Sequence, residues 1–120
     1  MHETVYRFRD IQPLPFPGES IWEYAIGEIG LDTSRGVGVA FVDVTGEAQL
    51  HHHDRTHELY FVSHGGGTVF VDGRTYELAE KDLIHIPPGL RHKAVKGNED
   101  FNLLVISIPP FSPADYHRDE

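Results

Sequence analysis

Short β-prone runs, each closed by glycine, proline or aspartate, fill this chain and leave it few ways to fold. Residues 37–44 read as a strand, with Gly46-Glu47 as the turn that follows. Residues 48–53 and 58–62 are the next two runs, and Gly65-Gly66-Gly67 reads as a flexible turn. Residues 68–78 form a hairpin centred on Asp72-Gly73, a strong type I′ signal. Residues 83–87 make a strand stopped by Pro87-Pro88-Gly89, and 92–96 and 101–108 are two more strands. Before position 37, Pro13, Pro15 and Pro17 make the lead-in irregular or an edge segment, and 21–29 reads as a strand. The one helix signal is a short one at the end, where Ser112 can cap, Pro113 suits the first position and Asp115 suits the positive terminus. So many short strands with almost no helix predict an all-β sandwich or barrel, and the runs are the wrong length for βαβ units.

At 120 residues the chain has room for one domain, and that size can build a core without staples. It contains no cysteine, which excludes disulfides, thiolate metal sites and a catalytic thiol. No apolar stretch approaches the roughly 18 residues of a membrane span, and the first residues lack the apolar core of a signal peptide. A cytoplasmic protein is the expectation. The formal net charge of −9 and the lack of a basic run argue against nucleic acid and anionic membranes as partners.

Nine histidines stand out, five of them between positions 51 and 64. Alternate residues of a strand share a face, about 6.6–7 Å apart. His51 and His53 therefore point together and His52 points away. Two such imidazoles can lean onto one ion at about 2.0–2.2 Å. Glu58 follows His53 by five residues, an odd spacing that in one strand would face it outward. The polar Asp54-Arg55-Thr56 can turn the chain, so Glu58 can begin a neighbouring strand facing inward. His92 follows a rigid Pro-Pro-Gly turn that can fix its direction. Three imidazoles and one carboxylate suit Fe, Mn, Ni, Zn or Cu and are poor for Ca or Mg. A six-coordinate ion held this way keeps two positions for substrate, water or dioxygen.

These residues resemble the two motifs of the cupins, small jelly-roll barrels also described as double-stranded β-helices. The first motif is matched by Gly46, His51-x-His53, Glu58 and Gly65, and the second by Asp82, Pro87-Pro88-Gly89 and His92. Three positions depart from the pattern. Gly46 is one residue closer to the first histidine than usual, Lys81 replaces a glycine, and Lys96 replaces an asparagine. None of these removes a ligand; they bear on turn geometry. The resemblance covers about residues 36–108, with 1–35 as lead-in and 109–120 as tail, in a single domain over 1–120. The tail from Ile108 to Asp115 resembles that of small conserved-barrel cupins loosely called mannose-6-phosphate-isomerase-like.

The resemblance implies that His51, His53, Glu58 and His92 hold one divalent transition metal such as Fe, Mn, Ni or Zn. It also implies a homodimer. The implied function is a metalloenzyme acting on a small polar molecule, a sugar derivative or a small carboxylic or keto acid. The reaction would be isomerisation, with the metal polarising a carbonyl or enediolate oxygen, or oxygenation with Fe(II) and dioxygen. The alternative is a non-catalytic module that binds a small ligand, with a structural or sensing metal. No general base can be named from these residues. Tyr60 shares the parity of Glu58 and is a candidate pocket residue, weighed against a plain core aromatic. His85 is a candidate pocket residue, weighed against a surface histidine. His57 and His64 read as structural or exposed, and His2 and His117 as terminal and solvated.

Overall fold

A computed structural model of the chain describes residues 3–24 and 36–120. Among the described residues, nine strands run in the order β1 Leu14–Phe16, β2 Glu19–Tyr24, β3 Gly38–Val44, β4 His51–His52, β5 His57–Val71, β6 Arg74–Ala79, β7 Leu83–Ile86, β8 His92–Ile108 and β9 His117–Arg118. One 3₁₀ turn, Phe8–Asp10, precedes them, and another, Pro113–Asp115, lies between the last two.

Two long strands organise the rest. β5 and β8 pair antiparallel, from His57↔Ile108 to Val71↔His92. The half of β5 near Glu58 also pairs with β7, while the matching half of β8 pairs with β3 and, through it, β2 and β1. The other half of β5 pairs with β6, and the start of β8 with β4, which carries β9. Both long strands thus pass from one wall to the other, and the curled antiparallel sheet is a jelly-roll barrel. Its core is dominated by Val44, Val62, Val69 and Phe101, all fully shielded from solvent, with Ile86 and Leu103 almost so.

The glycine run differs from expectation. Gly65-Gly66-Gly67 does not end a strand but bends β5 in mid-course, with register shifts between Val62 and His64 and between Gly65 and Gly67. Gly65 has φ +75°, and a Cβ there would lie 1.6 Å from the Asp100 carbonyl oxygen. A Cβ on Gly67 would lie 2.3 Å from the Phe101 ring. Glycine is what lets the strand cross the corner. On the facing strand, 92–96 and 101–108 likewise form one continuous β8 rather than two strands. The expected strand over 48–53 shrinks to His51–His52, with Glu47 making an isolated bridge to Val95.

Other expectations hold. The Asp72-Gly73 hairpin has both φ values positive, +49° and +85°, as a type I′ turn requires. The lead-in supplies an edge strand, β1, paired with β2 alone. The part of the expected 21–29 strand beyond Tyr24 lies outside the described residues. The tail's helical content is the single Pro113–Asp115 turn, where Ser112 Oγ accepts from the Ala114 amide at 3.3 Å. Strand β9, which follows it, carries no strand signal of its own. Lys81, standing where the resemblance expects glycine, adopts φ +74°. The backbone keeps the glycine-type turn there despite the side chain, closed by Lys81 N–H to Val62 O at 2.7 Å.

Candidate metal centre

The His-x-His pair is placed by β4 and the residue after it. His51 sits directly opposite His92 of β8, their ring centroids 4.3 Å apart. The turn over 54–56 is held by one side chain, Asp115 of the tail. Its carboxylate accepts from the amides of Asp54, Arg55 and Thr56 at 2.8, 3.1 and 3.3 Å. That turn absorbs the odd spacing and returns Glu58 to the inner face, as the strand–turn–strand reading requires. His92 is set by the preceding turn, where the Gly89 amide donates to His53 O at 2.6 Å.

All four side chains are buried, with His92 and His53 only 1% and 3% exposed. Each offers a donor atom, and the four atoms lie within 4.8 Å of one another. Glu58 Oε1 is 3.0 Å from both His53 Nε2 and His92 Nε2. Three backbone carbonyls orient the rings. Gln49 O meets His51 Nδ1, Asp115 O meets His53 Nδ1 and Leu90 O meets His92 Nδ1, each at 2.8 Å. A carbonyl only accepts, so each Nδ1 carries a proton and Nε2 is the nitrogen left to bind an ion at the centre. Metal-ligating histidines are commonly held this way.

His53 Nε2 is buried without a hydrogen-bond partner although Glu58 Oε1 lies 3.0 Å away, as suits a nitrogen and an oxygen that share an ion rather than a proton. Donors about 2.1 Å from one ion and at right angles stand about 3.0 Å apart, the separation seen between Glu58 and both rings. The donor set therefore fits a divalent transition ion.

The charges inside the cluster point the same way. Burial opposes ionisation of Glu58, but its contacts with His53 and His92 outweigh this and hold the carboxyl well below the usual range. Burial pushes the His51 imidazole down to about 4, helped by charge on His92. His53 is raised: burial works against this, and the Glu58 carboxylate beside it prevails. The site holds a fixed anion and a histidine kept neutral.

Above the tetrad opens a cavity whose walls come from β1, β2, β3, β5, β8 and the tail. Tyr60 lines it and donates to Glu58 Oε1 at 3.4 Å, and its own ionisation is suppressed by burial first and by Glu58 second. His85 does not line it. Register places Ile86 opposite Glu58, facing in, so His85 opposite Leu59 faces out, where it stacks on His57 with Nδ1 and Nε2 3.0 Å apart. His64 is exposed. His117 is not simply solvated, since it stacks on His52 outside the tetrad.

Four cavity residues escape the sequence reading: Glu19, Glu23, Phe111 and Tyr116. Glu19, Ile21 and Glu23 share one face of β2, and that alternation is the signal that points them inward. Burial, then the charge of Glu58, raises the Glu19 carboxyl to about 7 and raises Glu23 as well. The cavity wall has three carboxylates and, among the described residues, no lysine or arginine.

The Cupin domain family profile matches residues 39–108. An uncharacterized protein of Methanocaldococcus jannaschii is 31% identical over 99 residues, covering 82% of this chain and 79% of that one. Among solved structures, Streptomyces Pac13, described as a nucleoside dehydratase, superposes with a TM-score of 0.83 at 19% identity, over 98% of this chain and 91% of the other. A Pac13 variant has been solved with uridine. The polyketide cyclase RemF of Streptomyces resistomycificus gives a TM-score of 0.77 at 22% identity, over all of this chain and 87% of the other. At these identities the structural likeness speaks to fold.

Proposed function

The chain belongs to the cupin family, and on that premise we propose that it is a metal-dependent enzyme acting on a small, uncharged, hydroxyl-bearing molecule such as a sugar derivative. His51, His53, Glu58 and His92 would hold one divalent ion of the Fe, Mn, Ni or Zn group. The observation that carries this is the set of three histidines, each with Nδ1 tied to a backbone carbonyl, with Nε2 of His53 and His92 3.0 Å from Glu58 Oε1 and a donor atom from each of the four side chains within 4.8 Å of the others. Bound there, the ion would supply Lewis-acid polarisation of a substrate oxygen, which suits isomerisation, or a seat for dioxygen, which suits oxygenation.

The protein's own residues narrow the substrate. Glu19 and Glu23 face the cavity beside Glu58 with, among the described residues, no cationic side chain, so away from the ion a carboxylate or keto acid would meet like charge. The sugar-derivative class is favoured over the acid class on that ground. Apolar walls at Phe16, Ile21, Val105 and Phe111 offer a surface for a ring or alkyl face. Glu19 is the group suited to accept or return a proton, because it faces the cavity and burial raises its carboxyl above the usual range. Tyr60 steadies the Glu58 carboxylate. The uridine seen in a Pac13 variant is itself an uncharged, sugar-bearing ligand in a barrel of this shape, which supports the same reading.

Elemental analysis of protein purified without chelator or metal-affinity steps tests the metal. About one equivalent of a transition metal is expected. The His53→Ala variant should lose it. Less than about a tenth of an equivalent with no uptake on titration overturns the reading, as does full occupancy in His53→Ala.

A further inference from the structure

The outward face of β4 carries a second group of donors. His52 points away from the tetrad, and β9 lies beside it in the register His52↔His117. The two imidazoles stack with centroids 5.0 Å apart and planes inclined by 25°. Asp54 reaches both: its Oδ1 is 3.3 Å from His52 Nε2 and its Oδ2 is 3.0 Å from His117 Nε2. On the far side of His52, Nδ1 lies 2.8 Å from the Asp119 carboxylate. The shorter contact, to Asp119, favours the tautomer with the proton on Nδ1, which leaves Nε2 to bind an ion beside Asp54 and His117. A histidine backed by a carboxylate is a recurrent form of metal ligand.

We propose that His52, Asp54 and His117 form a second divalent-metal site, outside the barrel, that takes Zn²⁺ or a neighbouring ion such as Ni²⁺ or Cu²⁺. One donor atom from each residue falls within 4.8 Å of the other two. Two imidazole nitrogens and one carboxylate oxygen match this group of ions and are poor for Mg²⁺ or Ca²⁺. The side chains are 24%, 62% and 39% exposed, so an ion enters directly from solvent and water completes its shell. Asp115 Oδ1, 3.6 Å from His117 Nε2, is occupied with the backbone of the 54–56 turn and stands outside the set.

The placement gives the site a purpose. Two donors lie on β4 and the turn after it, and the third on β9, so an ion there clamps the tail to the barrel. The same tail presents Asp115 O to His53 and stacks the Tyr116 ring on His51 at 4.6 Å. Clamping the tail therefore holds two supports of the inner histidines. The site stands on its own donors and does not depend on what the inner metal does.

Zn²⁺ titration of chelator-stripped full-length protein, followed by calorimetry, tests it. The parent should take up about two equivalents, the second more weakly. His117→Ala and His52→Gln, on different strands, should each lose the weaker equivalent and keep the tighter one, while Mg²⁺ should give no heat. The histidine Nε2 resonances of the parent should shift on adding the second equivalent. A single equivalent in the parent that both variants retain overturns the proposal. So does an undiminished second equivalent in either variant, or loss of both equivalents together.

Discussion

His51-His52-His53 sends its outer two imidazoles and its middle one to opposite faces of the same strand, and the two faces differ in nearly everything but residue type. Inside, His51 and His53 are 7% and 3% exposed, held by main-chain carbonyls and set against one buried carboxylate. Outside, His52 is paired with side-chain carboxylates, Asp119 and Asp54, that solvent also reaches. A main-chain carbonyl cannot change charge or swing away, so the inner rings keep their Nδ1 proton and their orientation. The outer ring depends on partners that titrate and rotate. The same donor chemistry therefore makes a rigid centre on one face and an adjustable clamp on the other.

The sharpest way to break this comparison is to remove one histidine from each face. His92→Ala leaves Glu58 as a buried carboxylate with one neighbour gone, and breaking a buried pair costs about 3 kcal/mol or more. His52→Ala removes a half-exposed contact, for which about 0.5 kcal/mol is expected. Urea unfolding of the metal-free proteins reads both. Equal losses would mean that burial does not separate the two faces energetically.

The contrast also explains what the sequence could and could not reveal. Parity alone assigned His51 and His53 to one face, because strand geometry repeats every second residue whatever the tertiary context. Glu58 and His92 needed the turn residues around them, and Asp54-Arg55-Thr56 and Pro87-Pro88-Gly89 were visible as such. Gly65-Gly66-Gly67 misled, since the same residues suit a turn and a bulge. What decides between them is the closeness of Asp100 and Phe101, which are distant in sequence. His85 misled for want of its partner's register. In the tail, sequence reveals the cap at Ser112 and the place of Asp115 in the first turn, but the two jobs of Asp115 appear only when residues 61 positions apart are brought together. Glu19 sat in a proline-rich lead-in, where its inward alternation with Ile21 and Glu23 was masked.

Glu19 tests the inner face by charge rather than by contact. Its carboxyl is raised from 4.5 to about 7, by burial first and by Glu58 second. A carboxyl that binds its proton more tightly when folded loses stability as pH rises, beginning above the unfolded value and complete above the folded one. Ionised Glu19 should therefore cost the metal-free protein about 3 kcal/mol at pH 8 and almost nothing near pH 4. Glu19→Gln should gain that amount at the higher pH only, by urea unfolding at both. The gain should shrink when a divalent ion is bound, because positive charge favours the ionised carboxylate. A gain independent of pH would mean that packing, not charge, sets the effect.

Asp115 joins the two faces, and its removal is expected to cost less than His92→Ala or an ionised Glu19. Its main-chain oxygen supports His53 and survives any substitution, while its carboxylate holds the turn that brings Glu58 inward. The carboxylate sits below its usual range: burial pushes it up, but the amides of Asp54, Arg55 and Thr56 pull it further down. A depressed carboxyl contributes stability that is present above about pH 4 and fades as pH falls through the folded value. Asp115→Asn keeps the shape and one acceptor oxygen while losing the charge, so about 1 kcal/mol should go at pH 7 and almost none near pH 3. Metal affinity of the tetrad should fall by about tenfold, since the turn no longer fixes the distance between His53 and Glu58. Outer-face Zn²⁺ uptake should change far less, because His52, Asp54 and His117 keep their own donors. A variant that lost the outer ion and kept the inner one would reverse the assignment of Asp115 and make it part of the clamp.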